Sequence, residues 1–257
     1  MDMAVDRLGP EPDRARSIEL AKRLLVDSIW KTANIEVDGI TFPDTQEIFE
    51  GRAPADMTVD GIVTVNNIKH AWQFLLDNVD YPVDWQYVAE YNRIVGEGLV
   101  RDAGMLRAYG VRIGGTAWAP DLPTLDSSRD RVAEIMRQDD PLGRALDLFG
   151  AITRGQWFAD GNKRTALMAA NHELIHAGVG ILSIQPSDKR EFTSRLLAYY
   201  ESGDYRALRD WLARHAFGQV PGGLTEAQMR PIGPKGKQDT PRKAGDPDGH
   251  RRRRRHL

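Results

Sequence analysis

The stretch Arg154–Gly178, "RGQWFADGNKRTALMAANHELIHAG", decides how the rest of the chain is read. Two signatures lie within it. "DGNKRT" (Asp160–Thr165) has the form of a tight turn feeding a helix. The first turn of a helix carries unpaired N–H groups and the positive end of the dipole, so it attracts anions. Gly161 allows close backbone approach. Asn162 offers a side-chain amide. Lys163 and Arg164 add positive charge, and a guanidinium can grip two phosphate oxygens at once. Asp160 is unfavourable beside phosphates unless a cation joins them, which points to Mg2+ and a nucleoside triphosphate more than bare phosphate. The structural alternative is a plain helix start, capped by Asp160, with Lys163 and Arg164 in solvent. The second signature, "HELIH", places His172 and His176 one helical turn apart with Glu173 between them, the spacing of a zinc hydrolase. A third ligand is needed, and only Glu191 or Glu201 stand at suitable distances downstream. His172 lies roughly 15 Å beyond Gly161 on the same helix, so one helix would have to carry two active sites. Surface or capping histidines are the favoured reading.

Outward from this stretch the chain reads as mainly α. Ile18, Ala21, Leu24, Leu25 and Ile29 fall at helical spacing from Ser17 onward, as do Ile62, Val65, Ile68, Trp72, Leu75 and Leu76. Asp44 and Glu47 read as a capping box and Gly51 as a C-cap. Asp84 caps the next helix, and Asp140-Pro141 opens the one that ends at Gln156. Trp30, Trp72, Trp85 and Trp211 sit near apolar stripes and read as core. "GVRIGGTAWAP" differs: Val111 and Ile113 alternate with Arg112, and Gly114-Gly115 follows, the pattern of a small β-hairpin. Trp118 and Trp157 either line a groove beside it or pack.

Composition narrows the class. Of the 257 residues 41% are hydrophobic and none is cysteine, so a sizeable core is available without disulfide or thiolate chemistry. That fits a reducing cytoplasm. No apolar run approaches the roughly 20 residues of a membrane span, so no membrane partner is expected. The segment from Gly218 carries +6 of a chain whose net charge is −2, leaving the body before it at −8. An acidic body disfavours nucleic acid as its main ligand. The tail ends "RRRRRHL" and is expected to be disordered, with weak, salt-sensitive affinity for polyanions at most. The expected division is a flexible leader (1–16), an N-terminal helical segment (17–57), a core domain (58–217) and the basic tail (218–257).

The motif stretch resembles the Fic/Doc (Fido) family, whose core reads H-x-F-x-D-G-N-x-R. Phe158, Asp160, Gly161, Asn162 and Arg164 match it, and Lys163, Thr165 and Ala166 resemble the Doc-like branch. Three further segments resemble the family in order. They are Ile35–Gly51 ahead of the core, Leu106–Pro123 as the target-clamping flap, and Arg190–Leu212 as the closing helices. The resemblance spans roughly Ser17 to Phe217. It implies a Fic-type helical bundle with a small β-hairpin flap, binding Mg-ATP and transferring AMP, or in Doc a phosphoryl group, to a hydroxyl of a target protein. Asp160 would hold Mg2+. Gly161, Asn162, Lys163 and Arg164 would cradle the phosphates, and Phe158 would anchor the loop. Val111, Arg112, Ile113 and Gly114 would engage the target. The Doc-like features extend the implied partners to an antitoxin. Gln156 stands where the family has its catalytic histidine, and Leu167 where AMP-transferring members carry a second arginine. A non-catalytic, nucleotide-dependent binding module is therefore the alternative to an enzyme. Thr32 and Glu36 fit the inhibitory pattern [S/T]-x-x-x-E-[G/N], although Val37 departs from it. With Leu167 at the usual partner's position, the remaining expectation is a Glu36–Arg164 contact, against a plain helix end.

Overall fold

The computed structural model describes residues 12–219; the leader's first eleven residues and the tail beyond 219 lie outside it. Among the described residues ten α-helices run in chain order: α1 (Arg14–Arg23), α2 (Leu25–Glu36), α3 (Phe42–Phe49), α4 (Val59–Asn78), α5 (Trp85–Gly96), α6 (Leu125–Met136), α7 (Pro141–Gly155), α8 (Asn162–His176), α9 (Lys189–Ser202) and α10 (Arg206–Trp211). The strands β1 (Gly180–Leu182) and β2 (Phe217–Gln219) pair antiparallel, Ile181 opposite Gly218. No described helix is long and apolar enough to cross a membrane.

The architecture is organised around α8. Thirteen of its fifteen residues are buried. Such a helix has no solvent face, and it packs against α7 along most of its length and against α1, α2, α4, α5 and β1. Ala166, Ala169 and Ala170, all fully buried, let the neighbours approach closely. The polar residues that α8 buries are spent on its neighbours. Asn171 accepts from Leu182 N–H and donates to Leu182 C=O, both at 2.8 Å, which fixes β1 against the helix. Glu173 pairs with Arg144 of α7 at 2.7 Å.

This arrangement answers the zinc question against zinc. His172 is fully buried. Its Nε2–H donates to the Tyr81 carbonyl at 2.9 Å, so Nδ1 accepts from the Tyr91 hydroxyl at 2.7 Å. His176 Nδ1 donates to the Val79 carbonyl at 2.8 Å. Glu191 pairs with Arg195, and Glu201 accepts from Thr116 and Ala117. Among the described residues no group of three or more His, Cys, Asp or Glu is placed to hold a metal ion. The H-E-x-x-H spacing here is a helix seam that ties α8 to the end of α4 and to α5.

Local signals were mostly accurate, with shifts at the ends. Asp84 and Asp140 cap as expected. α1 starts at Arg14 rather than Ser17, because Asp13 accepts from Arg16 N–H. The capping box of α3 is Thr41 with Asp44, not Asp44 with Glu47. Trp72 and Trp211 are buried, and Trp30 and Trp85 pack half-buried against the core. The expected hairpin at 111–118 reverses at Gly114-Gly115 without a strand ladder; the paired strands lie at 180–182 and 217–219 instead.

Burial pushes the His172 pKa down to about 4, so the ring is neutral in the fold. The unfolded chain protonates it near pH 6.5. Its contribution is therefore fully present above pH 6.5 and is lost as pH falls toward 4, by up to about 3 kcal/mol. Glu173, raised by burial, acts in the opposite sense. Urea unfolding at several pH values should show a shallower acid loss in His172→Gln than in wild type. Parallel pH profiles would contradict the buried neutral ring.

Candidate functional site

The site begins with the end of α7. Gln156 caps that helix in the left-handed conformation, φ 43° and ψ 51°, the one non-glycine residue with positive φ among those described. An L side chain there costs roughly 1–2 kcal/mol, and such outliers gather at functional positions. Besides the backbone N–H bond to Ile152 C=O, four contacts hold it. Its Nε2 donates to Thr153 C=O at 2.6 Å and to the Tyr200 hydroxyl at 3.3 Å. Its Oε1 accepts from Asn162 Nδ2 at 3.3 Å, and its carbonyl accepts from Arg107 Nε at 2.5 Å. The next two side chains turn inward. Trp157 folds back so closely that a Cβ on Gly155 would sit 2.3 Å from its indole nitrogen. Phe158 stacks on Trp85 with ring centroids 5.9 Å apart.

Asn162 closes the loop. Its Oδ1 accepts from Phe158 N–H at 3.1 Å and its Nδ2 donates to Phe158 C=O at 2.9 Å. The amide expected to meet a phosphate is thus committed to the backbone that shapes the turn. Gly161, φ 77°, starts α8 without a side-chain cap. A Cβ there would press on Val95 and Asn92 at 3.2 and 3.3 Å. Arg164 is also committed: it is buried, donating to Val95 C=O at 3.2 Å and to Asp160 Oδ2 at 3.3 Å. Its Nε has no partner.

Lys163 and Asp160 face the cleft. Both line a cleft of about 170 Å3 with Gln156, Glu36, Ile113 and Gly114, closed by α9 through Thr193, Leu197 and Tyr200. Lys163 Nζ meets Glu36 Oε2 at 3.1 Å. The expected Glu36–Arg164 contact is therefore replaced by Glu36–Lys163, because Arg164 points into the core behind the turn. Of the four flap residues, Ile113 and Gly114 line the cleft, while Val111 and Arg112 do not.

Two residues that sequence reasoning passed over organise the surroundings. Asn92 of α5 donates to Asp160 C=O and Thr165 Oγ1 and accepts from Gly104 N–H. Arg107, 3% exposed, donates to the carbonyls of Gln156, Tyr109 and Asp121. One guanidinium thus ties both ends of the 109–121 segment to the motif loop. Burial lowers its pKa while Asp121 raises it. No periodicity marks either residue. Only a buried arginine's need for acceptors could have hinted at Arg107. The tip of the segment is clamped to α9, where Glu201 accepts from Thr116 and Ala117 and Trp118 stacks on Tyr200 at 5.5 Å.

Comparison with known proteins agrees with this geometry. Residues 82–174 match the model of the Fic/DOC family. Among solved structures, Fic-1 from C. elegans aligns with a TM-score of 0.67 at 17% identity, covering 79% of this chain and 68% of that one. A Fic domain containing signaling protein from Bacteroides thetaiotaomicron aligns at 0.60 and 15% identity, covering 73% and 75%. A Fic family protein from Desulfovibrio desulfuricans aligns at 0.58 and 15%, covering 76% and 62%. At these identities the structural likeness establishes the fold. No curated protein matches the chain.

Arg107→Met should keep the buried volume but leave carbonyls without donors. We expect a loss of about 2–4 kcal/mol in chemical unfolding and faster hydrogen exchange across 109–121. Unchanged exchange there would show that the segment is held without Arg107.

Proposed function

We propose, for a chain whose residues 82–174 match the Fic/DOC family, a protein that binds Mg-ATP in the cleft at the start of α8. It passes AMP, or a phosphoryl group, to a hydroxyl of a target protein in the cytoplasm. The observation that carries the reading is the conjunction in one cleft of an uncapped helix start, Lys163, Asp160 and the Gln156 amide. The backbone N–H groups of the first turn of α8 would donate to phosphate oxygens, and Lys163 would balance their charge. Asp160 fits the ion. It lies at the cleft with its side chain 59% exposed, and a single carboxylate suits Mg2+, which keeps waters and substrate phosphates as its other ligands. Bound there, Mg2+ would spread the negative charge of the transferring group. Arg164 serves by orienting Asp160 rather than by touching phosphate.

Gln156 cannot accept a proton near neutral pH, since an amide has no basic nitrogen. It could still orient a hydroxyl through its Oε1. Catalysis would rest on positioning and charge, without the roughly 10²–10⁴-fold that a general base adds. The tie of its Nε2 to Thr153 C=O and Tyr200 favours a second reading, a nucleotide-dependent binding module without turnover. Glu36 fits a restraint in either case. The cleft is smaller than the roughly 300–1,000 Å3 usual for ligand sites, and the Glu36–Lys163 pair occupies the cation that phosphate would need.

Calorimetry should show Mg-ATP binding weakened about tenfold or more in Lys163→Ala and strengthened in Glu36→Ala. No change in either would remove the nucleotide from this cleft. With ATP labelled at the α- or γ-phosphate, wild type should transfer slowly or not at all. Gln156→His should raise transfer by up to about 10²–10⁴-fold. Fast wild-type transfer would show that another group takes the proton. Silence in both forms with intact ATP binding would favour the binding module.

A further inference from the structure

A second cleft, of about 340 Å3, adjoins the first. Gly155 and Trp157 line it, whereas Gln156 between them lines the first. Trp118 lines it, whereas Tyr200, the ring on which Trp118 stacks, lines the first. The two clefts therefore share a wall one aromatic pair thick. An extended chain advances about 3.3 Å per residue. A segment with one side chain at Gln156 would reach the second cleft roughly two to four residues away.

The charge of the second cleft is specific. Arg131 is paired with Glu134 at 2.6 Å. Asp121 also lines the cleft; the buried Arg107 guanidinium donates to its backbone carbonyl and attracts its carboxylate electrostatically without an ion pair within 4.0 Å. Arg154 is left over. Among the described residues no carboxylate lies within 4.0 Å of it. Its Nε is buried without a hydrogen-bond partner, and its one polar contact is Tyr200 C=O at 3.5 Å. The guanidinium lies 4.7 Å over the Trp118 ring and 5.7 Å from that of Tyr199. Aromatic faces orient a cation without neutralising it or accepting its in-plane hydrogens. A desolvated donor of that kind calls for an anion. Pro120, Leu122 and Pro123 give the cleft an apolar side, on which Leu122 is 58% exposed, and Ser127 adds a hydroxyl.

We propose that this cleft is a specificity pocket for the target. It receives an aspartate or glutamate side chain lying a few residues from the hydroxyl, with the carboxylate on Arg154 and the adjoining backbone against the proline-leucine wall. The assignment rests on the reading of the first cleft as the place where a target hydroxyl meets Gln156.

The test uses the full chain and fluorescein-labelled peptides, each with a central Thr in a Gly, Ala and Gln background. One Glu is moved through positions −4 to +4, and an all-Gln peptide serves as control. Anisotropy is read with and without Mg-ATP. One or two Glu positions should bind about tenfold or more tighter than the control. Arg154→Met, which keeps the stem between the rings, should erase that preference. Arg154→Lys should retain part of it, and Lys163→Ala should leave it in place. Peptide binding without a Glu preference, alongside intact Mg-ATP binding, overturns the pocket and leaves the first cleft's assignment standing. A preference that survives Arg154→Met but vanishes in Lys163→Ala also overturns it, by moving the acid to the first cleft. Free glutarate competing as well as the best peptide would make the cleft a small-acid site and overturn the target reading. No peptide binding under any condition removes target capture and the pocket together.

Discussion

The structure depends on the two hydrogen bonds between the Asn162 amide and the Phe158 backbone. α7 and α8 are both largely buried, and the chain must reverse between them within a few residues. A buried reversal leaves backbone groups without partners unless a side chain supplies them. Asn162, with an acceptor and a donor on one planar group, satisfies both groups of Phe158 at once. The rest of the turn follows from that closure. Gly161 must go left-handed against Val95. Gln156 must do the same at the end of α7, and Trp157 and Phe158 are drawn into the core. The start of α8 is left uncapped beside a cleft as a by-product of making the turn.

Arginine is the recurrent device around this turn. Arg107, Arg144 and Arg164 are each engaged with backbone carbonyls, and two of them with a carboxylate as well. Five donors in a rigid fork suit the binding together of chain segments that have no common secondary structure. In the described structure each of them holds chain segments together. Lys163 and Asp160 line one cleft, and Arg154 lines the next. The motif alone does not show that Arg164 pairs with Asp160, whereas the fold does.

Two hydrogen-bonding residues illustrate why matching spacing is weak grounds for chemistry. His172 and His176 have the separation that zinc would require, yet each ring is committed to a carbonyl at the end of α4 or just beyond. A pattern of residue types cannot say whether a lone pair is already taken. Gln156 is the converse. It looks like a simple loss of a base. In the structure it is a strained cap whose side-chain amide accepts from Asn162 at the cleft, while its backbone carbonyl accepts from Arg107, the flap segment's anchor.

The sequence by itself determined the helical class, the starts of α5 and α7 at Asp84 and Asp140, the turn at Asp160–Arg164 and the family resemblance. These depend on local spacing and on backbone preferences of Asp, Pro and Gly, which act within a few residues. Only the tertiary structure decided that Glu36 meets Lys163, that Arg107 joins residues 109 and 121 to the motif loop, and that the 111–118 segment reverses without a ladder. It alone showed a second cleft with an unneutralised Arg154. Each of these joins residues far apart in the chain, and each is set by where a buried polar atom finds its partner. That choice depends on the packing of every helix around α8, and no local pattern encodes it.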